Sequence, residues 1–168
     1  MPDRKTNRLK EFDYTQSYWY FVTICVKEMK KYFGKVENEK MILNEFGKIV
    51  ESKLEWLTKQ YSYVDIDSYV IMPNHVHAII ILDTVDVGTS RDLSLQIKIK
   101  SLSELVGAFK TVSSKQIHLN GLPEFKWQRS FYDRIIRNEK ELYWIRKYID
   151  ENPLKWEIEK GFTGNLEF

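Results

Sequence analysis

Two consecutive strand-forming runs, 64–72 and 75–82, are separated only by Pro73-Asn74, and this feature constrains the fold most. Proline cannot donate to a sheet ladder, so it ends one run before the next begins. Residues 18–27 are aromatic and β-branched and form a first strand. Asn44 caps a helix to about residue 59, with Phe46, Ile49, Val50, Leu54 and Leu57 at helical spacing. After the paired runs, 102–119 repeat that spacing with Leu102, Leu105, Val106, Phe109, Val112 and Ile117, and Gly121 and Pro123 end the helix. A fourth strand lies within 125–136, and a third helix opens at Asn138, where Asn138 and Glu141 have the spacing of a capping box. Pro153 is expected to close that helix, and 33–43 to form a short hairpin around Asn38. The order is that of an α+β, ferredoxin-like split β-α-β-β-α-β antiparallel sheet with an added C-terminal helix. A length of 168 residues suits one domain over 1–168, with 1–16 as an N-terminal arm and 83–95 as a surface loop.

Several classes are excluded at once. Aromatic residues make up 14% of the chain, too many for a disordered segment. Cys25 is the single cysteine, so no disulfide scaffold exists, and its apolar neighbours read as a buried thiol. No run approaches the roughly 20 apolar residues that cross a bilayer, and residues 1–12 lack the apolar core of a signal peptide. A cytoplasmic protein without membrane contact is expected. The net charge of +2 is unevenly spread: between Gln96 and Lys147, eleven Lys or Arg face five acids, so that segment carries +6 and the rest −4. Such an imbalance points to a polyanion as partner.

The chemistry centres on Pro73-Asn74-His75-Val76-His77. On a strand, residues i and i+2 point to one face, so two of the three histidines project side by side, spaced to converge on a cation. Zinc lacks the usual cysteine partners here, whereas an added oxygen ligand and phosphate oxygens suit Mg²⁺ or Mn²⁺. In the last helix Leu142, Ile145 and Ile149 form the core stripe, and Tyr148 and Asn152, four apart, share one shoulder of it. Tyr143 falls on the opposite side. Lys110, Lys115, Arg129, Arg134 and Arg137 can neutralise phosphates, and Trp127, Phe131 and Tyr132 can either stack on unpaired bases or pack in the core. No Gly-rich phosphate loop is present, which argues against a nucleotide cofactor. A non-catalytic single-strand-binding domain of ferredoxin-like fold, and a metal-dependent phosphoesterase using water, remain as alternatives.

These motifs resemble the REP-associated tyrosine transposases, a branch of the single-tyrosine HUH endonucleases. The resemblance rests on Pro73 to His77, on Trp127-Gln128 with Phe131-Tyr132-Asp133, on Ile136 to Glu139, and on Tyr148-Ile149-x-x-Asn152-Pro153. Phe12-Asp13-Tyr14 and Tyr20-Phe21-Val22-Thr23 are similar to the family's opening. The resemblance implies that the C-terminal helix is catalytic. His75 and His77 would be the paired histidines, Tyr148 the nucleophile, and Asn152 the third metal ligand through its amide oxygen. It implies cleavage and rejoining of single-stranded DNA at hairpin-forming ends by a monomer or homodimer. One departure concerns Glu151, where related replication initiators often carry a lysine; it leaves Tyr143-x-x-Arg146 as a rival, which the helical phase disfavours.

Overall fold

The computed structural model describes residues 18–84 and 98–164. The expected arm, with Phe12-Asp13-Tyr14, and nearly all of the 83–95 loop lie outside the described residues. The elements run β1 (Tyr18–Cys25), β2 (Gly34–Glu37), β3 (Lys40–Leu43), α1 (Glu45–Gln60), β4 (Val64–Met72), β5 (His75–Leu82), α2 (Leu102–Leu119), β6 (Tyr132–Ile136), α3 (Glu139–Asp150) and α4 (Asn152–Gly164). The four long strands form one antiparallel sheet in the order β4-β5-β1-β6, the arrangement expected of the split pattern. β2 and β3 form a separate hairpin. Its two-residue turn at Asn38-Glu39 takes positive φ at both positions, as the twist of paired strands requires. Gly34 opens that hairpin at φ 135°, and a Cβ there would run into the Ile42 carbonyl oxygen.

The alternation along β1 assigns the two faces. Tyr20, Val22 and Ile24 point toward α1 and α2, while Trp19 and Phe21 point toward α3. Among the described residues, twenty-three buried hydrophobics form the cluster under α1 and α2. Among the described hydrophobic residues, Ile79, Ile136 and Ile149 are the buried ones clustered under α3. At roughly 1.5–3 kcal/mol per buried apolar side chain, the first face supplies most of the stability. The α3 face is therefore free to carry polar groups. No described helix is long and apolar enough to cross a membrane.

Caps set the helix starts. The Asn44 side chain accepts from Gly47 N–H at 3.0 Å, and Ser101 and Glu104 form a reciprocal capping box on α2. At α3 the box is shifted by one residue. Asn138 Oδ1 accepts from Glu141 N–H at 2.9 Å, but the Glu141 carboxylate accepts from Arg137 N–H at 3.0 Å.

One expectation needs correction. Pro153 does not end the helical region, because α3 stops at Asp150 and Pro153 stands in the first turn of α4. Proline has no N–H to donate, and the first turn of a helix needs none there, so one residue both stops α3 and starts α4. The fourth strand lies within 125–136 as expected, at Tyr132–Ile136, and ahead of it Trp127 makes an isolated bridge with Val26.

Candidate active site

The site is assembled on the α3 face by strand register. Thr23 of β1 pairs with His77 of β5, and Cys25 pairs with His75. Both imidazoles rise on the same side, and their Nε2 atoms come within 3.1 Å of each other. Each ring is held from behind through its other nitrogen. Asn74 Nδ2 donates to the Met29 carbonyl at 3.3 Å, which turns Asn74 Oδ1 toward His75 Nδ1 at 2.7 Å. A carbonyl oxygen only accepts, so His75 carries its proton on Nδ1 and keeps a lone pair on Nε2. His77 Nδ1 meets Thr23 Oγ1 at 2.8 Å. That hydroxyl can donate or accept, so it tolerates either His77 tautomer. Metal-binding histidines are typically oriented in this way by a partner on the remote nitrogen.

Asn152 is buried at the junction of α3 and α4, where its Nδ2 donates to the Tyr148 carbonyl at 3.2 Å and its amide lies close enough to His75 to favour that ring's charged form. Among the described residues no three of His, Cys, Asp and Glu gather as a metal cluster. Among the described residues the Asn152 amide is a candidate third ligand, since it lies beside His75. Two neutral imidazoles and one amide oxygen fit a divalent ion that keeps open positions for phosphate oxygens.

Burial keeps both rings neutral. It pushes His75 down to about 4, opposed by the nearby Asn152 amide, and it pushes His77 down to about 3, helped by the neighbouring His75. An unfolded imidazole titrates near 6.5. As pH falls below about 6.5, the unfolded chain takes up protons that the folded chain refuses, so stability is lost toward pH 4. EDTA-treated protein is therefore expected to lose up to about 2 kcal/mol per histidine between pH 7.5 and 5 in urea denaturation. Equal stability at the two pH values would contradict neutral, buried histidines.

Tyr148 approaches from α3. Its ring lies 5.3 Å from that of His77 and 6.1 Å from that of Phe21, and it is 39% exposed. One chain thus brings together Tyr148, His75, His77 and Asn152. Tyr143 stands away from them, 59% exposed, with its ring against Trp144. The helix is fixed to the sheet by Arg146, whose guanidinium bonds both Asp67 carboxylate oxygens and lies over the Trp19 ring. Asp67 is the extra residue of a bulge in β4, the kind of irregularity that re-aims a side chain.

Several groups escaped the sequence reading. Thr23 and Asn74 orient the histidines, but only register and the turn reveal it. Lys155 places Nζ 4.6 Å from the Tyr148 ring centroid, and Glu151 stands between Lys147 and Lys155 at 3.8 and 4.0 Å. The spacing from Tyr148 to Lys155 becomes meaningful only once the chain stays helical past Pro153.

The basic and aromatic candidates separate. Lys110 differs from its expected role, since its ammonium donates to the carbonyls of Gln128, Arg129 and Ser130. Trp127 likewise is a core residue, packed on Phe33, Phe109 and Phe125 with its N–H donated to Ser113. Arg129 and Lys115 are exposed and line a cleft of about 630 Å³ beside α2. Arg134 and Arg137 are exposed on and after β6, with Arg134 3.3 Å from Glu141. His118 donates to or accepts from nothing in the site; its ring meets the Phe125 carbonyl at 2.7 Å. Burial pushes the Cys25 thiol up, as expected of a structural cysteine.

No protein-family model matches the chain. An uncharacterized protein of Haemophilus influenzae is 36% identical over 168 residues, covering 95% of this chain and 93% of that one. Among solved structures, a REP-associated tyrosine transposase bound to a REP hairpin matches with a TM-score of 0.59 at 18% identity, over 88% of this chain and 73% of that one. A candidate transposase of Deinococcus radiodurans matches with a TM-score of 0.50 at 16% identity, over 85% and 96%. The chain therefore belongs to one family with the Haemophilus influenzae protein, and its fold is that of the REP-associated tyrosine transposases its motifs resemble.

Proposed function

We propose that the protein cleaves and transfers single-stranded DNA at hairpin-forming ends through a 5′-phosphotyrosine on Tyr148, with Mg²⁺ or Mn²⁺ held by His75, His77 and Asn152. The observation that carries this reading is the pair of mutually facing Nε2 atoms, 3.1 Å apart, with Tyr148 of the same chain beside them. A non-catalytic binding domain would leave that buried, oriented pair without a purpose. The hairpin bound by the structural neighbour supports DNA of this form as the substrate.

The reaction balances without a nucleotide cofactor. The Tyr148 oxygen attacks phosphorus, its proton passes to water or a base, and the bond to the 3′ oxygen breaks. That oxygen takes up a proton and leaves as a 3′ hydroxyl. The phosphotyrosine bond conserves the energy, so an incoming 3′ hydroxyl can reverse the step and join a new strand. A bound divalent ion supplies Lewis-acid stabilisation of phosphate charge. The residues of the chain hold Tyr148 in place through the Arg146–Asp67 contact, orient the two imidazoles through Asn74 and Thr23, and set a cation, Lys155, against the tyrosine ring. That one chain carries Tyr148 beside the histidine pair supports a site complete within a monomer, with a homodimer as the other arrangement the resemblance implies. The direct test is a denaturing gel: a hairpin DNA with a single-stranded flank should yield a metal-dependent, SDS-resistant protein–DNA band.

Phosphate contacts by Lys115, Arg129, Arg134 and Arg137 would supply affinity. Gln128 N–H donates to the Cys25 carbonyl, and Cys25 pairs with His75, so Arg129 sits near the histidine end of the sheet. Binding should weaken steeply with salt, with a slope near −0.7 per phosphate contacted. Replacing Arg129 or Arg137 with alanine should reduce the slope by about one contact and weaken all sequences alike. Fluorescence titrations at several salt concentrations check this, and a flat response in the parent protein would contradict it.

A further inference from the structure

Burial sorts the three aromatic residues that precede the C-terminal helices. Trp127 and Phe131 are 8% and 7% exposed and belong to the core, whereas Tyr132 is 56% exposed. Tyr132 begins β6, the edge strand beside β1, and pairs with Thr23. Thr23 in turn pairs with His77 on its other side. Residues directly opposite in antiparallel strands share a face, so His77, Thr23 and Tyr132 form one row on the α3 side. The Thr23–His77 hydrogen bond identifies that side as the one carrying the site. Two strand spacings, about 10 Å, separate the backbones at the ends of the row. The adjacent row holds Ile79, Phe21 and Arg134.

An aromatic ring is thus presented at the rim of the histidine site, with exposed guanidinium groups of Arg134 and Arg137 close by in the chain. A flat apolar face bordered by cations complements a single-stranded nucleic acid, whose bases offer π-faces and whose backbone is anionic. We propose that Tyr132 is a stacking platform for the nucleobase next to the phosphate attacked by Tyr148. This rests on the strand-transfer reading of the site. The platform holds the flank of the cleavage point against the sheet edge, so it acts on binding and positioning and takes no part in bond-making.

The test uses the full chain in EDTA and a hairpin DNA whose single-stranded flank carries one abasic site at successive positions. On intact DNA, Tyr132→Ala should weaken binding roughly 5- to 100-fold, and Tyr132→Phe should bind as the parent does. On the one DNA lacking the stacked base, parent and Tyr132→Ala should bind equally. Unchanged affinity of Tyr132→Ala on intact DNA would overturn the proposal, as would an equal loss on every abasic DNA. A change in oligomeric state by light scattering with DNA affinity intact would assign the ring to a second copy and also overturn it. The two readings fail separately: a parent that forms the Tyr148 adduct, with Tyr132→Ala binding normally, sinks the platform alone. A parent that binds no single strand sinks both.

Discussion

Tyr148→Phe is expected to abolish covalent attachment to single-stranded DNA, a loss of at least ~10³-fold, while leaving DNA affinity within about twofold. The substitution removes one oxygen from a ring that keeps its contacts with His77 and Phe21. Its effect on stability should stay below about 1 kcal/mol, since the residue is partly exposed and leaves no apolar cavity behind. Tyr143→Phe supplies the comparison. That ring lies on the outer side of α3, against Trp144, and its loss should leave adduct formation intact. Gel quantification of adducts from both variants checks the pair of outcomes, and the reverse pattern would contradict the placement of the nucleophile.

Removing either histidine should be nearly as severe. His75→Ala and His77→Ala are each expected to lower metal-dependent cleavage by on the order of 10²-fold or more, since loss of an orienting partner alone typically costs 10–100-fold. DNA binding should fall far less, because phosphate affinity is spread over several basic side chains whereas metal affinity is concentrated in three ligands. Asn152→Ala should be milder, near 10-fold, because water can replace a neutral amide oxygen. Cleavage rates at several Mn²⁺ concentrations separate the cases, since a ligand variant should need more metal. Full activity in EDTA would contradict the metal assignment for all three residues.

What was legible in the sequence follows from range. The periodicity of α1 and α2 and the strand pair around Pro73-Asn74 are local properties, and the sheet order follows from them. The histidine pair was legible because a period of two needs only a strand; Tyr148 and Asn152 come together as their spacing of four suggested, although Asn152 already belongs to α4 and meets the Tyr148 carbonyl from there. The errors lie where a local pattern has two outcomes. Pro153 obeys the rule that proline stops a helix, yet it also suits the first turn of the next, so α4 and the approach of Lys155 to Tyr148 went unseen. Trp127 and Tyr132 look alike in composition. Contacts distant in the chain, with Phe33 and Ser113, draw the first into the core, while the second stays on an edge strand. Lys110 reads as a free cation until the chain folds three carbonyls over it. Asp67 reads as a surface acid, and only the bulge in β4 presents it to Arg146.

The central claim, a phosphodiester link between Tyr148 and DNA, can be located directly. Trypsin cuts after Lys140, Arg146, Lys147 and Lys155, so Tyr148 falls on the peptide 148–155, while Tyr143 falls on 141–146. The protein would be incubated with Mn²⁺ and a hairpin DNA bearing a single-stranded flank, then digested with trypsin and nuclease and analysed by mass spectrometry. A nucleotide mass should appear on peptide 148–155 alone, linked through the tyrosine, and disappear when EDTA is added. Modification of 141–146 instead, or cleaved DNA with neither peptide modified, would contradict the account.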